Sequence, residues 1–459
     1  MKILVIGGGI TGLAAAHRLR QNLGEDADIT VAEHSNRLGG RLATGSFAGY
    51  RVEAGAESLL ATRDEAVGLA RDVGLGDQIV HPASVPAGLV FDGQMHDLPA
   101  GTFMGIPADP ADVAGLVETT EPPVLDRPVL GPDEDVSVGE LVRAHYGDDL
   151  LEKLVTPLLG GVYAGDPDRL SAEATMPALV EALRRNNSVP DAIAEVKAKR
   201  SSGKPVKPFA SIATGLSTLV TATAAAGRAN IRLGLTVREI HQTPYGWEVL
   251  AGPLTDPVRY QADAVVLATP AEITARLLRE VAPSSAAALG TLGYASIALA
   301  TFAFDDLDLP DRSGFLVAGP GMVKASTFMT RKWPHIRSRR PIVRVSLGRA
   351  GMQAELAQAA DEELVQTALA GLAEHLGQTV PEPVEVRLDR HSEALPQYAP
   401  GHVQRVARLR EELRERQGIA VAGASVDGIG IAACIASGRD AADEISSFFS
   451  NTHAEGEQS

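Results

Sequence analysis

The chain has 459 residues, enough for about three domains, with 45% hydrophobic and 22% charged side chains. That is the balance of a globular protein that buries a core, not of a disordered or fibrous chain. Forty-two basic against 58 acidic residues give a formal charge of -16, a field that repels nucleic acid and anionic membranes. The single cysteine, Cys434, excludes an internal disulfide and any cysteine-built metal site. Met1 is followed at once by a strand running into glycines, so no signal peptide is expected. Apolar runs such as 295–304 fall short of the ~18 residues a spanning helix needs. A cytoplasmic protein is expected, at most peripheral at a membrane.

Lys2–Ile6 reads as a buried parallel strand, followed without a gap by Gly7-Gly8-Gly9-Ile10-Thr11-Gly12 and a helix over 13–23 that ends at Gly24. A second strand over 28–32 ends at Glu33. Gly7 permits the tight turn, Gly9 lets backbone approach a pyrophosphate, and Gly12 lets helix pack on strand. The phosphates then sit at the helix N-terminus. Glu33 is placed to accept hydrogen bonds from a ribose diol and disfavours a 2′-phosphate. Next comes Arg37-Leu38-Gly39-Gly40-Arg41, where the glycines let backbone pass a bulky ligand and Arg41 can clamp a phosphate oxygen. Gly55-Ala56-Glu57-Ser58 follows after Tyr50.

A helix over 63–73 is closed by Gly74, and 99–135 is a Pro- and Asp-rich loop region. Ser137 starts a helix through Ala144 with a capping box, 148–155 is another short helix, and Ser171 caps a third. Residues 201–208, with Lys204 and Lys207, read as a solvated linker. Single strands are expected over 230–240, 247–250 and 260–268, and a second sheet from 297–304 and 342–347. Asp361 caps a helix through Leu376, and 402–417 forms a helix ended by Gly418. A short strand over 419–422 then runs into Gly423, Ser425, Asp427, Gly428, Ile429, Gly430 and Ile431, opening a helix over 432–445. That helix N-terminus offers N–H groups and positive dipole to a negative charge. Residues from Ser450 onward are polar and expected to be disordered.

The pairing of Glu33 with the Arg-x-Gly-Gly-Arg segment resembles the FAD enzymes of the amine oxidase and protoporphyrinogen oxidase superfamily. Further stretches resemble the bacterial coproporphyrinogen III and protoporphyrinogen oxidases in particular: 160–167 (GGVYAGDP), 215–219, 292–296, Lys332-Trp333-Pro334, and Leu395-Pro396-Gln397-Tyr398 with Gly401-His402. The likeness covers nearly the whole chain. It implies an α/β fold with a discontinuous Rossmann-type FAD domain (1–75, 209–272 and 415–450). A mixed-sheet substrate domain (76–98 and 273–414) and a helical domain (99–208) complete it. By the same resemblance FAD contacts fall on Gly7, Gly8, Gly9, Ile10, Thr11 and Gly12, on Glu33 and His34, and on Gly40 and Arg41. They continue on Gly55, Ala56, Glu57 and Ser58, on Val237 through its backbone, and on Ile429, Gly430 and Ile431. Two departures stand out. Ala394 replaces a frequent Trp, and Ala87 replaces the Arg that holds a propionate in plant and animal relatives.

The resemblance implies oxidation of coproporphyrinogen III to coproporphyrin III in haem biosynthesis. Six electrons leave in three flavin cycles, with O2 as acceptor and H2O2 as product. The flavin carries the redox step, so no catalytic side chain is proposed. Gly161 is the pocket candidate, presenting backbone to the ring or serving as a simple turn glycine. Cations for the substrate carboxylates are sought among Arg169, Arg184, Lys207, Arg331, Lys332, Arg344 and Arg390. No histidine spacing suits a metal, and Cys434 reads as a small buried residue. A ferrochelatase is a conceivable transient partner. The alternatives are a protoporphyrinogen IX oxidase, a flavin amine oxidase, and a non-catalytic FAD- or porphyrin-binding protein.

Overall fold

The computed structural model describes residues 1–201 and 207–456; Lys204, in the linker expected over 201–208, lies outside them. Five short parallel strands form the central sheet, in the order Asn230–Leu233, Asp28–Glu33 (β2), Lys2–Ile6 (β1), Ala264–Leu267 and Ile419–Val421. Three of these come from distant parts of the chain. Ile3 to Ile6 are each 3% exposed or less, because helices cover one face, around Ile3 and Val5, and residues such as Trp247 and Val249 cover the other, around Leu4 and Ile6. The helix Ile10–Leu23 (α1) and the C-terminal helix Ile431–Gly456 pack against each other on one side. Gly438 makes this contact possible, since a Cβ there would stand 2.2 Å from the carbonyl oxygen of Thr11.

The expected strand over 230–240 is two strands in different sheets. Gly234, with φ +69°, turns the chain, and its N–H donates to Ser35 O. Val237–Thr243 then joins Gly246–Ala251 and Val258–Ala262 in an antiparallel meander. The expected strand over 260–268 likewise breaks at Asp263, whose carboxylate accepts from the Lys2 amide at 2.7 Å.

A seven-stranded mixed sheet runs Glu385–Gln397, Gly293–Ala303, Ile342–Leu347, Val323–Phe328, Gly314–Val317, Gly88–Phe91 and Gln94–Asp97. All neighbours are antiparallel except Gly314–Val317 against Gly88–Phe91. One face packs on the helix Asp361–Leu376 around Phe302, Phe315, Phe328 and Leu372. Asp361 does not cap that helix; Ala360 holds the N-cap position, and Asp361 pairs instead with Arg390.

A helical layer, Val138–Tyr146 to Val189–Ser201, builds its own core around Leu141, Leu154, Leu159 and Leu179. Ser137 caps its first helix, accepting from Glu140 N at 3.0 Å, and Ser171 accepts from Ala174 N at 2.9 Å. Residues 148–163 form one continuous helical stretch with a π segment at Leu151–Val155, longer than the expected helix over 148–155. Gly161 therefore lies on a helix, in its final turn, and not in a simple turn. At the C-terminus the helix continues through Gly456 where disorder was expected. Phe449, 7% exposed, anchors it in the central core.

Candidate functional site

The three glycines after β1 are held by different forces. Gly7 has φ +111°, and a Cβ there would meet Ala268 O at 2.3 Å. At Gly12 a Cβ would meet Gly7 O at 2.0 Å, so the helix reaches the strand only without a side chain. Gly9 is the opposite case. A Cβ there meets nothing within 4 Å, so this residue borders open space at the start of α1, where no side chain caps the helix. The first N–H groups of α1 have no intrahelical partner and lie beside this opening with positive dipole behind them, as an anion site requires.

The second glycine segment docks on the first: Gly39 N donates to Gly8 O at 2.8 Å, and a Cβ on Gly40 would sit 3.5 Å from Gly9 Cα. Arg37 folds back onto Gly40 O and Leu42 O. Arg41 reaches across the opening, donating from Nη2 to the carbonyls of Ser392 and Glu393 at 2.7 Å each. Solvent reaches Arg41, yet the surrounding protein desolvates it enough to lower its pKa. Arg41 is thus partly desolvated while water still reaches it. Among the described residues it forms no ion pair.

Glu33 ends β2 with its carboxylate buried. Oε2 accepts from Gly8 N at 2.7 Å and Oε1 from Ser35 N at 2.9 Å. Burial alone would raise its pKa, but these N–H donors prevail and hold it below the usual carboxylate range. Oε2 keeps a further lone pair for a ribose hydroxyl. His34 is exposed beside it, Nδ1 3.0 Å from Oε1. Val237 follows the segment paired with β2; its carbonyl accepts from Arg276 at 3.1 Å. An uncapped helix start, an arginine without an acid, and a charged carboxylate at the strand end fit a dinucleotide: two phosphates and a ribose.

At the other end of the opening, Gly423 N donates to Ser437 Oγ at 2.8 Å, which fixes the turn before the last helix. Ile429, Gly430 and Ile431 lead into that helix, and nothing lies within 4 Å of a Cβ on Gly430. Ile429 and Leu316 both pack at the edge of the helical layer's core, which includes Tyr163 and Tyr398. These two rings meet edge to face, and the Tyr398 hydroxyl donates to Ala424 O. Thus the 160–165 and 395–398 segments border the C-terminal glycine turn. Burial pushes the Cys434 thiol up to about 11, leaving it unreactive there.

Gly55, Ala56 and Ser58 are half-buried, but the Glu57 side chain is committed elsewhere. Lys332 Nζ lies 2.6 Å from Oε1, Trp333 Nε1 donates to Oε1 at 2.9 Å, and Arg344 Nη1 is 3.3 Å from Oε2. Burial opposes ionisation of Glu57, yet the two cations hold its pKa low. Arg344 and Lys332 are therefore neutralised within the fold, as are Arg390 by Asp361 and Arg184 by Glu173. Arg331 donates to Leu309 O, while Arg169 and Lys207 are exposed. Two cations not singled out by sequence, Lys324 and Arg349, lie under Gly160 and, among the described residues, have no acidic partner. A separate cavity of about 300 Å³ lies between Leu289, Tyr294, Gln397, His402 and Arg405. It touches none of the glycine-loop residues.

Glu53, four residues before Glu57, is buried with Leu216 N at 2.7 Å and Thr44 Oγ1 at 2.8 Å. Burial pushes its carboxyl up to about 7. Its folded pKa lies above the ordinary 4.5, so the folded state binds the extra proton between these values and loses stability as pH rises through them. The shift corresponds to roughly 3 kcal/mol. Glu53→Gln is expected to remove this slope: unfolding midpoints of variant and wild type, compared from pH 5 to 8, should diverge in the variant's favour as pH rises. Parallel curves would refute the assignment.

The flavin-containing amine oxidoreductase family matches residues 10–446. The chain belongs to that family. Its cofactor is FAD. Among relatives of this flavoprotein, the coproporphyrinogen III oxidase of Mycobacterium tuberculosis is 37% identical over 449 residues, 95% of each chain. That of Bacillus subtilis is 29% identical over 96% of each. A solved Exiguobacterium structure, provisionally named a protoporphyrinogen oxidase, superposes with TM-score 0.83 at 31% identity, covering 97% of this chain and 98% of its own. Among the described residues of this flavoprotein, no helix is long and apolar enough to cross a membrane.

Proposed function

We propose that the protein is an FAD-dependent coproporphyrinogen III oxidase of haem biosynthesis. The observation that carries this reading is the 37% identity to a coproporphyrinogen III oxidase over 95% of both chains. It is supported by the helical layer, which brings the 160–165 and 395–398 segments against the C-terminal glycine turn. Bound FAD supplies the acceptor for two electrons per cycle. Removal of six electrons and six protons therefore takes three cycles, consuming three O2 and forming three H2O2.

The chain's own work is binding and orientation. The Gly7–Gly12 turn and the N-terminus of α1 hold the diphosphate, with Arg41 opposite, and Glu33 holds the adenosine ribose. Val237, beyond the strand beside β2, lies on the adenine side. Gly55, Ala56 and Ser58 flank the ring system, and the start of the helix Ile431–Gly456 stabilises negative charge on it. Residues 1–75, 209–272 and 415–450 act as the FAD domain, 76–98 and 273–414 as the substrate domain, and 99–208 as the helical domain. The site of action is the cytoplasm, and a ferrochelatase is the enzyme class that uses the product.

Purified holoenzyme in air is expected to turn coproporphyrinogen III over with a higher kcat/KM than protoporphyrinogen IX, followed by porphyrin fluorescence. The name given to the Exiguobacterium structure makes protoporphyrinogen the second reading; a preference for that dicarboxylate would select it. No turnover of either by flavin-loaded protein would refute both.

A further inference from the structure

Lys324 lies within the strand Val323–Phe328 of the seven-stranded sheet and is 5% exposed. Among the described residues its side chain has one hydrogen bond, a long one of 3.4 Å from Nζ to the carbonyl oxygen of Gly160. Among the described residues no carboxylate pairs with it. The charged group that acts on it is a second cation, Arg349. Arg349 in turn donates to the carbonyls of Gly321 and Val317 at 2.9 Å each, and its Nη1 lies 3.5 Å from where a Cβ on Gly160 would stand.

An ammonium taken out of water without a counter-charge costs several kcal/mol. Elsewhere this fold supplies an acid: Glu57 serves both Lys332 and Arg344, and Glu173 serves Arg184. Here it places two cations side by side with none, and burial pushes Lys324 down to about 7. What covers them is the end of the helix Thr156–Tyr163, where Gly160 and Gly161 carry no side chains. Gly161 is exposed, and a Cβ there would meet Leu316 at 3.1 Å. The same helix ends in Tyr163, whose ring meets Tyr398, and the Tyr398 hydroxyl donates to Ala424 O in the C-terminal glycine turn.

We infer that Lys324 and Arg349 form a carboxylate-receiving pair for one propionate of the porphyrinogen, admitted past the side-chain-free Gly160–Gly161 turn of helix. The inference rests on the porphyrinogen reading above. It accounts for a pair of cations that costs stability and that the fold leaves without an acid. It also places a propionate anchor away from Ala87, beside which Arg312 is already paired with Asp97.

Lys324→Met keeps the length of the side chain and removes the charge. Binding of coproporphyrin III and of its uncharged tetramethyl ester is measured by fluorescence quenching on flavin-loaded protein, together with KM for coproporphyrinogen III. The expected result is a rise on the order of tenfold in both Kd and KM for the tetra-acid, with ester affinity unchanged and a higher thermal midpoint. A residue with a merely structural role would lower the midpoint and weaken acid and ester alike. Arg349→Gln, which retains amide donors, is expected to give the same acid-against-ester split and serves where Lys324→Met does not fold. Unchanged affinity for the tetra-acid, or equal loss for acid and ester, overturns the assignment while leaving the enzyme reading intact. Failure of the wild type to oxidise either porphyrinogen overturns the reading itself.

Discussion

Gly12→Ala is expected to yield protein without flavin and mostly insoluble, whereas Gly9→Ala yields folded protein without flavin. The contrast follows from what each new methyl group meets. At Gly12 it lands 2.0 Å from Gly7 O and 3.2 Å from Val5 Cγ1. Backbone carbonyls cannot rotate aside, so α1 must leave β1, and the cost exceeds the ~3 kcal/mol usual for overpacking. β1 is the middle strand of the parallel sheet, with β2 on one side and Ala264–Leu267 on the other, so the displacement reaches the whole layer. At Gly9 the methyl group meets no protein atom within 4 Å and occupies the space proposed above for the diphosphate. Loss of FAD affinity there is expected to be roughly a hundredfold, about 2.8 kcal/mol. Visible absorbance after purification reads flavin content and circular dichroism reads the fold. A flavin-loaded Gly9→Ala variant, or a well-folded and yellow Gly12→Ala variant, would contradict this account.

Glu57→Ala is expected to lower stability by about 3–5 kcal/mol, because it removes the counter-charge of the buried Arg344 and the half-buried Lys332. Arg344 is 3% exposed, so water cannot replace the carboxylate without opening the structure. Glu57→Gln should cost less, since it keeps an oxygen for the Trp333 indole N–H while losing the charge. The opening should begin where Glu53 to Glu57 meets the seven-stranded sheet. Arg344 and Arg387 both donate to Glu53 O, and His391 Nε2 lies 2.7 Å from Ala54 O. Hydrogen exchange in 53–58 and 342–347 would report this directly. Protection unchanged in both segments, with wild-type stability, would mean that the network contributes nothing.

The two predictions fall on opposite kinds of residue. Gly12 was legible because its constraint is local: strand, turn and helix are adjacent in the chain, and the spacing of three glycines states the geometry. Glu57 was legible only as part of a stretch beside the flavin in similar enzymes. Its side chain has another task, set by Trp333 and Arg344, 276 and 287 residues away. The cations sought for the substrate show the same division. Lys332, Arg344 and Arg390 carry the right charge but are already neutralised. Lys324 sits in the strand Val-Lys-Ala-Ser-Thr-Phe, where alternation puts it on one face with Ser326 and Phe328 and nothing in the pattern marks the lysine as buried.

The βαβ unit, its glycine turn, the acid at its end and the family all follow from the order of residues alone. Those features depend on residues within about thirty positions of one another, or on motifs that carry their own meaning. The breaks at Gly234 and Asp263 needed the tertiary structure, because an apolar run has the same pattern whether it serves one sheet or two. So did the fate of each charge. Whether a lysine is solvated, paired or left without an acid depends on which distant element covers it, and here a glycine-ended helix laid across a strand made Lys324 the exception.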